Sequence, residues 1–166
     1  YPGNNFNYHL IPFKKAIKNN LKVIMPYYGV PVGQTNEEVA MAFNDYIISD
    51  LLRNDLGYDG VICSDWGIIT GRHWGVGDLS IEERYKKSLQ AGIDQYGGEN
   101  NPSYILNLVE NNNVSEQRIN ESVRKILVNK FELGLFDNPY VDEDMIHKRV
   151  NTIENIKAGI EAQRRS

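Results

Sequence analysis

Gly57-Tyr58-Asp59-Gly60-Val61-Ile62-Cys63-Ser64-Asp65-Trp66-Gly67 sets a short apolar run between glycine breaks and ends it on an acid and a tryptophan. Residues 61–64 have the length and β-branched content of a buried strand. In parallel α/β proteins, functional groups gather just beyond the carboxyl ends of strands. Asp65 holds that position. A carboxylate there can attack or stabilise an anomeric carbon, and an adjacent tryptophan can pack on the apolar face of a pyranose. The same position also suits an acid that caps a turn or pairs with a neighbouring loop, and position alone favours neither role.

Upstream, residues 22–26 (Lys-Val-Ile-Met-Pro) read as a second buried strand. Residues 1–9 read as loop, and residues 10–20 as a short amphipathic helix with Leu10, Phe13 and Ile17 on one face. Thr35-Asn36-Glu37-Glu38 has the form of a capping box. It predicts a long helix to about residue 54, with Val39, Phe43, Tyr46, Ile47 and Leu51 at helical spacing.

Downstream, a Gly-rich loop over residues 66–79 carries His73 and Trp74. His73 reads as a packing or rim residue. Ser80-Ile81-Glu82-Glu83 forms a second capping box that opens a helix to about residue 90. A third strand is predicted over residues 91–96, and Glu99 follows it at a plausible site edge, with a surface-loop carboxylate the favoured reading. Helices over 102–111 and 115–133 come next. The longer one directs Ile119, Val123, Ile126 and Leu127 inward and stops at Gly134, with Pro139 beyond. Residues 141–166 read as polar helical pieces.

Strands that alternate with helices imply a parallel sheet with right-handed crossovers. Three strands cannot close a barrel, so the pattern fits a small open α/β domain or part of a larger one. The 166 residues carry a net charge of −4 and are 41% hydrophobic, which suits a globular core and gives no electrostatic case for nucleic acid or an anionic membrane. Cys63 is the sole cysteine, which excludes an intrachain disulfide and a thiolate metal cluster. No apolar run nears the roughly 20 residues of a membrane span. The opening at Tyr1, with neither an initiator Met nor a signal-peptide pattern, suggests a fragment or processed product and leaves localisation unread.

The segment from Gly57 to Trp66 resembles the nucleophile signature of glycoside hydrolase family 3, a glycine-flanked strand leading into Ser-Asp-Trp. Three further stretches resemble the same family in the same order. His9-Leu10-Ile11-Pro12-Phe13 with Val23-Ile24-Met25-Pro26-Tyr27-Tyr28 is similar to its sixth barrel helix-to-strand region, and Ala91-Gly92-Ile93-Asp94 to its eighth strand. Residues 119–140 are similar to its barrel-closing helix and exit.

The resemblance is closest to the β-glucosidase type and implies an α/β fold formed by the last three β/α units of a (β/α)8 TIM-type barrel. Residues 1–140 would form that portion, and residues 141–166 an exit helix toward a second domain. The implied activity is retaining hydrolysis of non-reducing terminal β-D-glucosyl residues, with β-xylosidase, β-N-acetylglucosaminidase or a non-catalytic carbohydrate-binding piece as alternatives. Asp65 is then the nucleophile. Trp66, Tyr28 and Met25 line the sugar pocket, with the Tyr28 hydroxyl in reach of Asp65. Asp94 has a structural, hydrogen-bonded role. No cofactor or metal is implied. The implied partners are the carbohydrate substrate, the rest of the barrel and the second domain that supplies the general acid/base, so the chain alone is expected to be inactive.

Overall fold

The computed structural model describes residues 2–166. Two compact units are present, one ending at Asn129 and one spanning Lys130–Ser166.

The first unit is built on three parallel strands: β1 (Val23–Ile24), β2 (Val61–Trp66) and β3 (Gln95–Gly97), adjacent in chain order. Val23 lies opposite Val61, and Cys63 opposite Gln95. The β2–β3 register shifts between Cys63 and Trp66, just where Asp65 sits. The short helix α1 (Phe6–His9), on residues read as loop, and α2 (Ile11–Lys18) precede β1. Between β2 and β3 runs α3 (Ile81–Ala91), and after β3 come α4 (Ser103–Glu110) and α5 (Glu116–Glu132).

The second capping box forms as its sequence predicts. Ser80 Oγ accepts from the Glu83 amide at 3.3 Å, and the Glu83 carboxylate accepts from the Ser80 amide at 2.8 Å. The Ser80 hydroxyl also donates to that carboxylate at 2.7 Å, and this bond first, then the one from the Ser80 amide, holds the Glu83 carboxyl below its ordinary range. At the far end Gly92, at φ 117°, supplies a left-handed cap. The helix therefore runs through Ala91, and the third strand begins only at Gln95, later than the pattern predicts.

The first capping box does not form. Thr35 Oγ1 donates to the Glu37 carbonyl, and Glu38 accepts from the Gly33 amide instead of reaching back to residue 35. The buried Asn44 amide donates to Thr35 Oγ1 and to the Glu37 carbonyl, both at 3.0 Å, while its Oδ1 accepts from the Ile47 amide. Asn44 thus holds this loop and starts the helix itself. Residues 35–45 remain loop around a 3₁₀ turn, Met41–Phe43. The helical part is a π-helix, Tyr46–Asp55, closed by the Leu56 amide on the Leu51 carbonyl. Val39 and Phe43 are buried as their apolar character requires, but from the loop.

The core gathers Phe43, Ile48, Ile62, Ile68, Ile69, Leu89, Ile93 and Leu108 between the sheet and its helices. On α5, Ile119 packs against this core. Val123 and Leu127 do not reach it and stay exposed, contrary to the helical pattern. No described element of this unit covers that face.

The second unit holds a 3₁₀ turn (Glu143–Met145), α6 (Ile146–Arg149) and α7 (Ile153–Arg165), whose cap Thr152 accepts from the Asn155 amide. None of its described residues is buried. Ile153, Ile156 and Ile160 form an exposed stripe along α7.

Candidate active site

Asp65 is the penultimate residue of β2 and half-buried at its carboxyl end. One carboxylate oxygen accepts from the Trp66 amide at 2.6 Å. The strand below it is fixed by Ser64, fully buried, whose hydroxyl donates to the Asp65 carbonyl at 2.9 Å and accepts from the Gly97 amide at 3.0 Å. Burial also pushes the Cys63 thiol up, away from the reactive thiolate form.

Trp66 is 59% exposed and presents an aromatic side chain next to Asp65. Its ring lies across Gly97 and Gly98. A Cβ on Gly97 would fall 2.6 Å from the Trp66 ring and 2.8 Å from the Ser64 carbonyl oxygen, and one on Gly98 would also fall 2.6 Å from the ring. Gly98 in addition has φ +71°, so the glycine pair is what lets the indole lie flat on the β3 exit.

Met25 and Tyr28 follow β1. Met25 is exposed, and Tyr28 is partly buried against the core. Among the described residues Tyr28 makes no hydrogen bond to Asp65. The neighbouring Tyr28 hydroxyl is the main reason the exposed Tyr27 hydroxyl lies above its ordinary range, and the negative Asp65 is the smallest contribution. The Tyr28 ring packs on Tyr27 (4.5 Å between centroids) and edge-on to Trp74 (5.0 Å). The Arg72 guanidinium sits 5.3 Å from the Tyr28 centroid and donates to the Trp66 carbonyl at 2.7 Å.

Three residues outside the predicted site set hold the loop after Asp65. Arg72 is one. Arg84, from the first turn of α3, donates to the Ile69, Val76 and Gly77 carbonyls. Glu99 accepts from the Ile69 and Thr70 amides at 2.9 and 3.1 Å. A charged residue in a helix's first turn next to a Gly-rich loop is a faint hint of Arg84, whereas nothing local marks Glu99 as a loop anchor.

Asp94, for which the family resemblance implies a structural role, is fully engaged in hydrogen bonds and ion pairs. One oxygen accepts from Arg53 at 2.7 Å and the Ile62 amide at 3.0 Å, and the other from Ser122 at 2.7 Å and Lys125 at 3.4 Å. Its own amide donates to the Ile62 carbonyl. Among the described residues no cluster of three His, Cys, Asp or Glu could hold a metal, and no helix is long and apolar enough to cross a membrane.

Fold and site together define a parallel α/β domain that presents one acid and a ring of aromatic side chains at the carboxyl ends of adjacent strands. The family described as Glycosyl hydrolase family 3 N terminal domain matches residues 4–128, and the chain belongs to it. It is 48% identical over 176 aligned positions to the probable beta-glucosidase C of Aspergillus flavus, covering 100% of this chain and 28% of that protein. It is 35% identical to the periplasmic beta-glucosidase/beta-xylosidase of Dickeya chrysanthemi, covering 84% of this chain and 25% of that one. A solved beta-glucosidase involved in saponin metabolism from intestinal bacteria shares 26% identity at a TM-score of 0.74, over 92% of this chain and 20% of that one. The chain thus spans about a quarter of the length of the curated relatives it matches.

Proposed function

We propose that this chain forms the last three β/α units of the (β/α)8 catalytic barrel of a retaining β-glucosidase, with Asp65 as nucleophile. The observation that carries the reading is Asp65 itself, half-buried at the carboxyl end of the middle strand beside the exposed Trp66. Residues 1–140 form the barrel portion, and residues 141–166 lead toward a second domain.

In this mechanism Asp65 attacks C1 of a non-reducing terminal β-D-glucosyl residue, so that an ester bond forms as the glycosidic C–O bond breaks. A general acid protonates the departing oxygen. Acting as base, it then activates the water that cleaves the glycosyl ester. The two carboxyl groups of a retaining enzyme lie about 5–5.5 Å apart, and the second one comes from outside this chain. Trp66 packs on the sugar, with Met25 and Tyr28 lining the pocket from β1. β-Xylosidase activity is the second reading, because the Dickeya relative carries both names.

The test is to incubate the complete protein with a 2-deoxy-2-fluoro β-glucoside bearing a good leaving group, then to map the added mass by peptide mass spectrometry. A label on the peptide holding Ser64, Asp65 and Trp66 supports the reading. Hydrolysis of aryl β-glucosides with the label elsewhere overturns the assignment of Asp65, and faster labelling by the xylose analogue shifts the specificity.

A further inference from the structure

We propose that Glu99 is a positioning residue for the nucleophile, acting through the loop that follows Asp65. The proposal rests on the reading of Asp65 given above. Glu99 lies two residues beyond β3, and both of its oxygens point back toward β2. Oε1 accepts from the Ile69 amide at 2.9 Å and the Thr70 amide at 3.1 Å, and Oε2 lies 3.2 Å from the Thr70 hydroxyl. The loop is one tight turn in which the Gly71 and Arg72 amides both donate to the Gly67 carbonyl. Ile69 and Thr70 are therefore early residues of that turn, where amides lack partners along the chain, and a carboxylate satisfies them best.

The turn reaches Asp65 by a short path. Gly67, its first residue, donates to the Gly97 carbonyl at 2.9 Å. Between Gly67 and Asp65 lies only Trp66, whose amide holds the Asp65 carboxylate and whose ring rests on Gly97 and Gly98. Glu99 thus pins the far side of a turn whose near side carries the nucleophile and the sugar platform. Ile68 and Ile69 are fully buried and anchor the turn from below. The loop consequently stays folded without Glu99 but loses its fixed height against β3. A shift of about 1 Å at a reacting group is enough to cost on the order of 100-fold in rate.

A carboxylate near a glycosidase nucleophile could instead move protons. The bonds point away from that role, since both oxygens are occupied by the loop. The two roles separate experimentally. Glu99→Gln keeps an acceptor oxygen for the two amides and leaves a group that Thr70 can meet as acceptor. Glu99→Ala keeps neither.

In the complete protein, kcat and KM for an activated aryl β-glucoside are measured for the wild type and both variants, with the rate of fluoroglucoside labelling and the unfolding temperature. Positioning predicts kcat lowered at least tenfold by Glu99→Ala, labelling slowed to match, unfolding shifted by only a few degrees, and Glu99→Gln within about threefold of wild type. Equal loss in both variants would overturn it in favour of a proton-transfer or charge role, and Glu99→Ala turning over like wild type would overturn it outright. A wild type that neither hydrolyses nor labels would instead remove the underlying reading of Asp65, before any variant is made.

Discussion

The two sides of the β2 strand are built differently. Toward β3, polar groups meet in dense reciprocal bonds: Asp94 with Arg53, Ser122, Lys125 and the Ile62 amide, Ser64 with the Gly97 amide, and Gly67 with the Gly97 carbonyl. Toward β1, as toward β3, two residue pairs form the ladder. Val23 and Met25 stay exposed, and an apolar groove of about 330 Å³ opens between Ile24, Leu10, Phe13, Ile48 and Leu52. The β3 side fixes the candidate nucleophile from residues this chain supplies. The β1 side offers an apolar face and, on the proposed function, Met25 and Tyr28 as part of a sugar wall. Polar anchoring is thus concentrated on one flank of the strand, and the other flank is open and apolar.

The sharpest break of this contrast is at the centre of the strand. Asp65→Ala in the complete protein should lower hydrolysis of an aryl β-glucoside by on the order of 10⁴-fold, the scale seen when a nucleophile or its partner is removed. Met25→Ala, on the open side, should cost far less. Steady-state rates that fall equally in both variants would mean that Asp65 is one pocket residue among several.

Next in size is the hub. Arg53, Arg118 and Lys125 all lie within 4 Å of the Asp94 carboxylate, which has no side-chain exposure. Asp94→Ala leaves three cations facing one another and should destabilise the protein by about 3–5 kcal/mol. Glu37→Ala, which removes the half-exposed partner of Lys87, should cost about 1 kcal/mol or less. Urea unfolding of both variants checks this, and similar midpoints would mean that the β3 flank is no better built than the surface.

A smaller effect belongs to the glycine under the tryptophan. Gly98→Ala adds a strained φ and a contact with the Trp66 ring, costing about 1 kcal/mol or more in stability. The displaced indole should raise KM several-fold while kcat changes less. An unchanged KM would remove Trp66 from the sugar platform.

Much of the β3 flank can be read locally. The glycine-flanked strand, the acid at its end and the Ser80 capping box all signal through neighbours in sequence, and each forms. The Thr35 box fails because a buried side chain nine residues away, Asn44, competes for the same carbonyl and hydroxyl. Tyr28 makes no hydrogen bond to Asp65, and its ring instead packs on Tyr27 and Trp74. Glu99 acts on amides thirty residues upstream, and no spacing rule reaches that far. Val123 and Leu127 carry a true helical pattern, yet both stay exposed, because helical spacing says which residues share a face and not what that face meets.

The smallest effect tests where the two flanks meet. Tyr58 is buried between them, and its hydroxyl donates to the Val61 carbonyl at 2.9 Å. Burial pushes its phenol up to about 12. The unfolded chain ionises this group near pH 10 while the folded chain keeps its proton, so the unfolded state binds fewer protons in that interval. Stability should therefore fall as pH rises from about 10 to about 12 and be insensitive to Tyr58 below that. Tyr58→Phe loses one hydrogen bond, about 1 kcal/mol at neutral pH, but removes this alkaline penalty. Urea midpoints at pH 8 and pH 11 should show the variant's deficit shrinking at the higher pH. A constant deficit would mean that water reaches the phenol, and that the open character of the β1 side extends to the foot of β2.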